Sequence, residues 1–279
     1  MSGESFESEV REPRTSLLDI LERFPSISLS FGTFLALLPA MRMRTYSISS
    51  SRQSGGDSDG PTPLSLTFSV LDEPARSGSQ TRFLGVASNY LADLTNGDVV
   101  YVGVRKTRDA FRLPEDAAAT PVVMVAAGTG YAPFRGFIQE LQARQKRGAN
   151  AGSPPSAAAV PATLFFGCRG PEDDLYRAEL DESERAGVVR VIRAYSRSFA
   201  AGVAAGHVQD ALRRHEDTLV ELWKSGAKFF VCGNTRMAGD VKAVVRDAAR
   251  LATGTQIPGD ASSWFSQFEL ERYVAEIFA

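Results

Sequence analysis

The sequence predicts a mixed fold, in which an antiparallel β-barrel is followed by a doubly wound α/β domain with a parallel sheet. Before Pro121, short segments such as 64–72 and 98–105 alternate apolar with polar residues, as half-buried antiparallel strands do. After Pro121, apolar strands alternate with helical segments, a pattern typical of a parallel sheet covered on both faces. A glycine-rich turn at Gly128–Gly130 follows the first of these strands and indicates a nucleotide site.

Composition indicates a soluble intracellular protein. With 279 residues and 43% hydrophobic content, the chain can bury the cores of about two domains. Its 31 basic and 33 acidic residues leave a formal charge of −2, which gives no global support for nucleic-acid or membrane binding. Cys168 and Cys232 end apolar runs and favour a reducing, cytoplasmic compartment over a disulfide scaffold. No signal peptide, membrane segment or metal site is predicted.

The second region contains four strand–helix pairs. The predicted strands are VVMVA, TLFFG, VVRVIRAY and KFFVC, and the predicted helices cover residues 132–146, 175–186, 208–215 and 237–251. The low-complexity segment 148–161 is interpreted as a loop within this sheet, because the strand pattern continues beyond it. The segment 49–63 is predicted to be a similar exposed loop.

The glycine-rich turn is typical of a dinucleotide phosphate site. Gly128 and Gly130 let the backbone turn sharply and approach a pyrophosphate, while the amides that open the following helix carry partial positive charge. A strand, a glycine turn and a helix also occur in proteins that bind no nucleotide. Cys232 ends a later buried strand, and ligands of parallel sheets lie at the carboxyl ends of the strands. It is therefore expected to face the same crevice as Gly128, although a buried cysteine is more often only part of a core.

Two segments of the first region supply further ligand chemistry. Arg44 can clamp a phosphate, Tyr46 can stack on an aromatic ring and Ser47 can donate to a ring heteroatom. The alternative is an ordinary half-buried strand over 41–51. The turn at Gly85–Ser88 opens a short helix whose amides can hold a second phosphate group, and its alternative is an ordinary helix cap.

Seven motifs give the chain a specific resemblance. RTYS, GVASNYL, AAGTGYAPFRGF, LFFGCRGPEDDLYRAEL, AYSR, FFVCGN and RYVAEIF follow one another as in the ferredoxin-NADP reductase-like half of diflavin reductases, and resemble most the reductase end of self-sufficient cytochrome P450 fusion proteins. The resemblance covers almost the whole chain. It implies a remnant of a helical connecting domain over 1–40, an FAD-binding barrel over 41–120 and an NADP-binding α/β domain over 121–279. It also implies that the barrel is truncated at its amino terminus, with an unpaired edge.

The resemblance implies a set of cofactor-binding residues. For FAD they are Arg44, Tyr46, Ser47, Gly85, Val86, Ala87, Ser88 and Phe278, with Ser47 near flavin N5; for NADPH they are Gly128, Thr129, Gly130, Ser196, Arg197, His207 and Gln209. Ser47, Cys232, Glu276 and Phe278 are the implied catalytic residues. Ser196 and Arg197 offer a hydroxyl and a cation to a 2′-phosphate.

The chain departs from the family pattern at three places. Where relatives carry Lys-x-Tyr-x-Gln after Ser-Arg, this chain offers Ala205, His207 and Gln209. NADPH remains the expected cosubstrate, with weakened affinity or partial tolerance of NADH. Near the carboxyl terminus, Glu276 and Phe278 replace an Asp and a Trp that covers the flavin, and Asn234 follows Cys-Gly where an Asp is common. The smaller ring of Phe278 should be displaced more easily, unless it is only an apolar helix end.

The resemblance implies an NADPH-dependent flavoprotein reductase. A hydride would pass from NADPH to FAD, and single electrons would then pass to an FMN-containing flavodoxin-like domain and a P450 haem domain. FMN is expected only on a partner or missing domain. Two alternatives remain open: a standalone diaphorase that reduces a small carrier protein directly, and an inactive truncated fragment that binds nucleotide or a partner without turnover.

Overall fold

The computed structural model describes residues 3–52, 63–78, 82–106, 110–117, 119–150, 162–198, 204–254 and 261–278. The chain divides into two compact units. The first unit comprises Met1–Tyr46 and Phe68–Val102, and the second comprises Ser47–Thr67 and Gly103–Ala279. The predicted loops at 49–63 and 148–161 lie mostly outside the described residues. Where they are described the predictions are wrong, because Ser49 and Ser51 are buried and residues 148–150 belong to a helix. The domain boundaries predicted at residues 40 and 120 stay predictions.

The first unit consists mainly of short helices. They are α1 (Gly3–Phe6), which continues into a π-helical turn at Glu7–Arg11, α2 (Leu17–Arg23), α3 (Phe31–Leu37) and α4 (Val86–Ala92). Helix α2 begins with a capping box, because the Ser16 hydroxyl accepts from Asp19 N at 3.0 Å and Ser16 N donates to the Asp19 carboxylate at 2.8 Å. Such a box satisfies amides that have no partner inside the helix.

The first unit also contains one antiparallel hairpin, formed by β1 (Asp72–Pro74) and β2 (Arg82–Leu84). The strands predicted over 64–72 and 98–105 are wrong as placed. Of the first segment only Asp72 lies in a strand, and 98–105 forms no strand with any part of the chain that the structure describes. An antiparallel strand requires a neighbour to pair with its backbone. Without one, Tyr101 and Val99 are 96% and 75% exposed.

The second unit is built on a six-stranded parallel sheet. Its strands are β3 (Val122–Ala127), β4 (Ala162–Cys168), β5 (Val189–Tyr195), β6 (Ala204–Ala205), β7 (Lys228–Asn234) and β8 (Tyr273–Phe278), in the spatial order β6-β5-β4-β3-β7-β8. All neighbouring pairs are parallel. From β3 the chain winds outwards to β6 and then returns to the other side of β3. The strand order therefore reverses beside β3, which is where such sheets bind ligands.

Helices cover both faces of this sheet. They are α5 (Ala132–Asn150), α6 (Arg177–Arg185), α7 (Val208–Arg214), α8 (Glu216–Lys224), α9 (Thr235–Thr253) and α10 (Ala261–Ser266). Strand β3 contributes Val123 and Val125 to one core, with residues of α7, α8 and α9, and contributes Met124 and Ala126 to a second core, with residues of α5 and α6. The alternation follows from the two-residue period of a strand. The mixed fold class predicted from the sequence is confirmed.

The structure adds elements that the sequence analysis did not predict. Strand β6 and helix α8 were not expected, and the segment containing Phe278 is a strand rather than the end of a helix. The strand expected over 41–51 is reduced to a single bridge between Ile48 and Leu66. No helix within the described ranges is both long enough and apolar enough to cross a membrane.

Candidate functional site

The glycine turn lies between β3 and α5. Gly128 adopts a positive φ of 52°, which glycine adopts without strain, and the chain then makes a 3-10 turn before α5 begins at Ala132. Gly130 is buried against β7, and a Cβ atom there would lie 2.2 Å from the backbone oxygen of Cys232. Only glycine permits this approach, so the turn and the end of β7 meet at the point where the strand order reverses.

Helix α5 supplies electrostatic attraction for a phosphate. It has 19 residues and no acidic residue in its first turn. The first amides of a helix have no intrahelical partner and carry partial positive charge. Gly128 and Thr129 are only half-buried, so the turn remains accessible. This arrangement fits a dinucleotide pyrophosphate.

Cys232 lies near the carboxyl end of β7, between the neighbouring strands β3 and β8. In the register of the sheet it pairs with Ala126 of β3 on one side and with Glu276 of β8 on the other. Burial, with a smaller contribution from the Glu276 carboxylate, raises the pKa of the Cys232 thiol to about 12. The thiol is therefore neutral at physiological pH, and it can act as a contact surface but not as a nucleophile.

The end of β8 carries the aromatic side chain predicted to cover a ring. Phe278 pairs in register with Asn234 and is 40% exposed. Asn234 is the N-cap of α9, since its side-chain oxygen accepts from Met237 N at 2.9 Å. An asparagine performs this capping as well as an aspartate. The departure at Asn234 thus preserves the helix start while removing a charge.

Ser196 and Arg197 are held by the end of β4. Ser196 N donates to the Cys168 oxygen at 2.9 Å, and Arg197 N donates to the Arg169 oxygen at 2.9 Å. The Arg197 side chain is exposed. A second guanidinium, that of Arg169, is 63% exposed and is paired with Asp173. Two cations therefore flank the end of β5, where the sequence analysis identified only Arg197.

A buried carboxylate lies near this strand end. The Asp174 side chain is fully buried, and its Oδ2 atom accepts from Arg193 Nε and from the Tyr195 hydroxyl, each at 2.9 Å. Its Oδ1 atom has no hydrogen-bond partner among the described residues. Burial, and next the hydrogen bond to Asp174, raise the pKa of Tyr195 to about 12. The Asp174 carboxylate thus anchors the last residue of β5, directly before Ser196.

The segment around His207 extends the same sheet edge. Ala205 of β6 pairs in register with Tyr195, and the exposed His207 follows at the start of α7, where its amide donates to Asp210 Oδ2 at 2.9 Å. Gln209 donates to Asp240 Oδ2 at 3.2 Å. Ala205 therefore ends β6 beside the end of β5, which Ser196 follows, and His207 lies two residues beyond Ala205.

Two candidate FAD residues, Arg44 and Tyr46, lie in the first unit. Arg44 is exposed and donates to the Arg42 oxygen at 2.9 Å, while the half-buried Tyr46 packs edge-on against Phe68 with 5.8 Å between ring centroids. Ser47 belongs to the second unit.

The turn before α4 is closely packed. The Ser88 hydroxyl accepts from Leu71 N at 3.0 Å and donates to the Gly85 oxygen at 3.1 Å. A Cβ atom at Gly85 would lie 2.8 Å from Leu71 Cβ, so the glycine is required for packing. Since the Ser88 hydroxyl is engaged, the amides of Val86, Ala87 and Ser88 are the groups that a phosphate would meet.

Comparison with known proteins identifies both parts of the chain. Residues 2–90 match the FAD binding domain family, and residues 124–243 match the oxidoreductase NAD-binding domain family. The chain is 44% identical over 287 residues to a self-sufficient cytochrome P450 monooxygenase, CYP505AG1, of Oidiodendron maius, and 42% identical over 283 residues to a bifunctional cytochrome P450/NADPH–P450 reductase of Fusarium oxysporum. Each alignment covers 100% of this chain and 25% of the relative.

The chain is homologous to cytochrome P450/NADPH–P450 reductase fusions. A further relative of this group, CYP505E3 of Aspergillus terreus, is 46% identical over 278 residues, which are 99% of this chain and 24% of that protein. The chain thus spans about a quarter of the length of these relatives. The resemblance read from the sequence motifs is confirmed.

The homology to P450 reductase fusions and the two domain matches support FAD and NADPH as cofactors. The turn at Gly128–Gly130 fits NADPH, because Gly130 permits a close backbone approach and α5 directs its free amides to the same place. The roles of individual side chains towards either cofactor stay predictions. Arg169 and Asp174 were not predicted as site residues from the sequence, although both lie in GCRGPEDDLY, which carried part of the resemblance.

Proposed function

We propose that the chain is an NADPH-dependent flavoprotein reductase module that passes electrons to an FMN domain and a P450 haem. The observation that carries the proposal is the close contact between Gly130 and the Cys232 backbone, which brings the glycine turn against the end of β7 beside the reversal of strand order, where sheets of this kind bind ligands. FAD, when bound, accepts a hydride from NADPH and releases electrons singly. The chain's own residues bind, orient and shield the reacting groups.

NADPH would bind at the carboxyl ends of the parallel strands of the second unit. The amides of Gly128, Thr129 and Gly130 would hold the pyrophosphate at the start of α5. The Ser196 hydroxyl and the Arg197 guanidinium would bind the 2′-phosphate, with Arg169 as a second cation. His207 would stack on the adenine ring, with Gln209 beside it.

Residues of β7 and β8 would surround the nicotinamide and the flavin during hydride transfer. Cys232 would lie against the nicotinamide as a neutral, buried side chain that excludes water and exchanges no proton, in keeping with its raised pKa. Glu276, beside Cys232 in the register, would supply the carboxylate that assists hydride transfer. Phe278 would cover the flavin face until nicotinamide displaces it, and its 40% exposure leaves an aromatic surface for this purpose.

The FAD end rests on two short segments. Arg44 would clamp the FAD phosphates and Tyr46 would stack on the isoalloxazine ring, with Ser47 near flavin N5. The amides that open α4 would hold part of the pyrophosphate. Arg44 is exposed and is therefore accessible to a phosphate.

The acceptors are proposed from the relatives. The named relatives are P450 monooxygenases or P450/NADPH–P450 reductase fusions, and a flavodoxin-like FMN domain would accept single electrons on the way to the haem. A cytoplasmic location is part of the proposal, because both cysteines are buried free thiols, as in reducing compartments.

One observation favours a different reading. Val99, Tyr101 and Val102 of the first unit are largely exposed, as expected for a fragment that binds nucleotide without turnover. A standalone diaphorase, which reduces a small carrier directly, is the third candidate.

An acceptor assay separates these three functions. Purified chain reconstituted with FAD should reduce ferricyanide with NADPH, and should reduce cytochrome c only after an FMN domain is added. Reduction of a carrier protein without the FMN domain would establish the diaphorase. Failure to reduce any acceptor, with NADPH binding retained, would establish the fragment.

A further inference from the structure

Helix α5 carries a polar surface that the nucleotide site does not use. Arg135 Nη1 donates to the Ser49 oxygen and to the Ser65 hydroxyl, both at 3.0 Å. One turn further along the helix, the Gln139 side-chain oxygen accepts from Ser51 N at 2.9 Å. A Cβ atom at Gly136 would lie only 3.5 Å from the Ser50 oxygen. The backbone of residues 49–51 therefore lies directly against α5.

The carboxylate of Glu179 in α6 accepts hydrogen bonds from the side chains of both Arg135 and Gln139. Glu179 Oε2 accepts from Arg135 at 2.9 Å and Glu179 Oε1 accepts from Gln139 Nε2 at 3.1 Å. The Arg135 side chain is only 16% exposed. Its guanidinium also lies 4.3 Å from the centroid of the Tyr176 ring, and charged, planar and partly buried contacts of this kind are specific to arginine.

The docked segment is itself a small antiparallel structure. Ser49 N donates to the Ser65 oxygen at 2.7 Å, and Ile48 and Leu66 form a bridge. Thr67 extends the contact through a 2.9 Å hydrogen bond with the Tyr176 hydroxyl. Residues 48–51 and 65–67 are thus fixed to α5 and to Tyr176, directly before α6, at several points.

This anchoring bears on the position of Ser47. The side chain of Arg135 is five residues beyond Gly130, and Ser47 is two residues before Ser49. One helix therefore begins at the proposed pyrophosphate site and also holds the segment that leads to the proposed flavin contact. Displacing reacting groups by about 1 Å costs roughly 100-fold in rate.

We infer that Arg135 and Glu179 are positioning residues, which fix the Ser47 segment relative to the glycine turn and so set the rate of hydride transfer. The inference rests on the proposed reductase function. Neither residue needs to touch NADPH or FAD. Their loss should therefore lower kcat and leave the KM for NADPH unchanged, whereas a residue that only stabilises the fold would lower the melting temperature and nucleotide binding together.

The test compares Arg135→Lys with Arg144→Lys in the full chain. Arg144 is a matched control, because it lies on the same helix and also pairs with a glutamate, Glu140, at 2.8 Å. Steady-state assays with NADPH and ferricyanide give kcat and KM, and hydrogen exchange reports the amides of Ser49 and Ser51. Arg135→Lys should lower kcat roughly 10- to 100-fold, leave KM within about twofold, and accelerate exchange at both amides. Arg144→Lys should leave kcat, KM and the exchange of both amides unchanged.

Glu179→Gln provides a second variant if Arg135→Lys folds poorly. It keeps an acceptor but removes the charge, so it should show the same changes to a smaller extent. An unchanged kcat in a folded Arg135→Lys protein would overturn the inference. If the wild-type chain reduces no acceptor, the proposed function fails separately and exchange alone decides: faster exchange in Arg135→Lys supports the anchoring role, and unchanged exchange overturns it.

Discussion

Gly130 and the backbone oxygen of Cys232 are in direct contact, so that a Cβ atom at position 130 would lie 2.2 Å from that oxygen. The contact joins the turn after β3 to the end of β7, two segments about a hundred residues apart in sequence. The nearest obstructing atoms, the carbonyl oxygen and carbon of Cys232, belong to the backbone. They cannot rotate away as the end of a long side chain can. The close approach of the glycine turn to the end of β7 therefore depends on the absence of one methyl group.

Gly130→Ala should displace the turn and weaken nucleotide binding. Overpacking of this kind typically costs about 1–3 kcal/mol, so we expect roughly a tenfold or greater loss of affinity for NADP⁺ by isothermal titration. Gly239→Ala is the control, because Gly239 lies in α9 with no atom within 4 Å of its Cβ position, and alanine favours a helix. Equal NADP⁺ affinity in both variants would contradict the role of the contact.

Asp174 should contribute strongly to stability. Breaking a buried ion pair costs about 3–5 kcal/mol, and Asp174→Ala leaves Arg193 and Tyr195 without their buried acceptor. Asp174→Asn should cost less, since an oxygen remains to accept from Tyr195. Urea denaturation measures both. Asp181→Asn is the control: its 43%-exposed carboxylate also pairs with Arg193, and an exposed pair contributes only about 0–1 kcal/mol. Equal losses for Asp181→Asn and Asp174→Ala would refute this account.

The buried thiol of Cys232 should make stability depend on alkaline pH. Its pKa is raised to about 12 in the folded chain, against about 8.5 for a free thiol. The folded state retains a proton that the unfolded state loses, so the stabilising contribution is complete below pH 8.5 and is lost as pH rises towards 12.

Cys232→Ser removes this titration. The difference in unfolding free energy between wild type and variant should shrink by about 1.4 kcal/mol per pH unit between pH 9 and pH 11. Urea midpoints at several pH values measure it. A difference that stays constant across this range would show that the thiol does not titrate as expected.

Arg197 should distinguish NADPH from NADH. A hydrogen bond to a charged group contributes about 1.5–3 kcal/mol, so Arg197→Gln should raise the KM for NADPH roughly 10- to 150-fold and leave the KM for NADH unchanged. Arg169→Gln should act in the same direction. Arg190→Gln, at the opposite end of β5, serves as the control. A parallel rise in both KM values would place Arg197 away from the 2′-phosphate.

The parallel sheet was predictable because its central strands are buried on both faces and are therefore continuously apolar. VVMVA, TLFFG and KFFVC are almost wholly hydrophobic, and each is followed by a glycine or cysteine within two residues and by a helix further along the chain. Strand β8 was missed because its identity depends on pairing with β7 from Phe229 to Asn234, which no local pattern of YVAEIF reveals.

The first region was less predictable for a related reason. The alternation over 98–105 satisfies the pattern of a strand, but a pattern does not supply a hydrogen-bonding neighbour. Long-range polar contacts were equally hidden: Arg135 and Glu179 are 44 residues apart, and their pairing follows only from the packing of α5 beside α6. The glycine turn was found because its backbone requirement is local.

The proposed function requires that this chain hold FAD and accept a hydride from NADPH. The visible spectrum of the purified chain after reconstitution with FAD, recorded without oxygen before and after addition of NADPH or NADH, tests it most directly. We expect a bound-flavin band near about 450 nm that bleaches faster with NADPH than with NADH. A chain that binds NADP⁺ but retains no flavin, or a flavin band that NADPH does not bleach, would contradict the account.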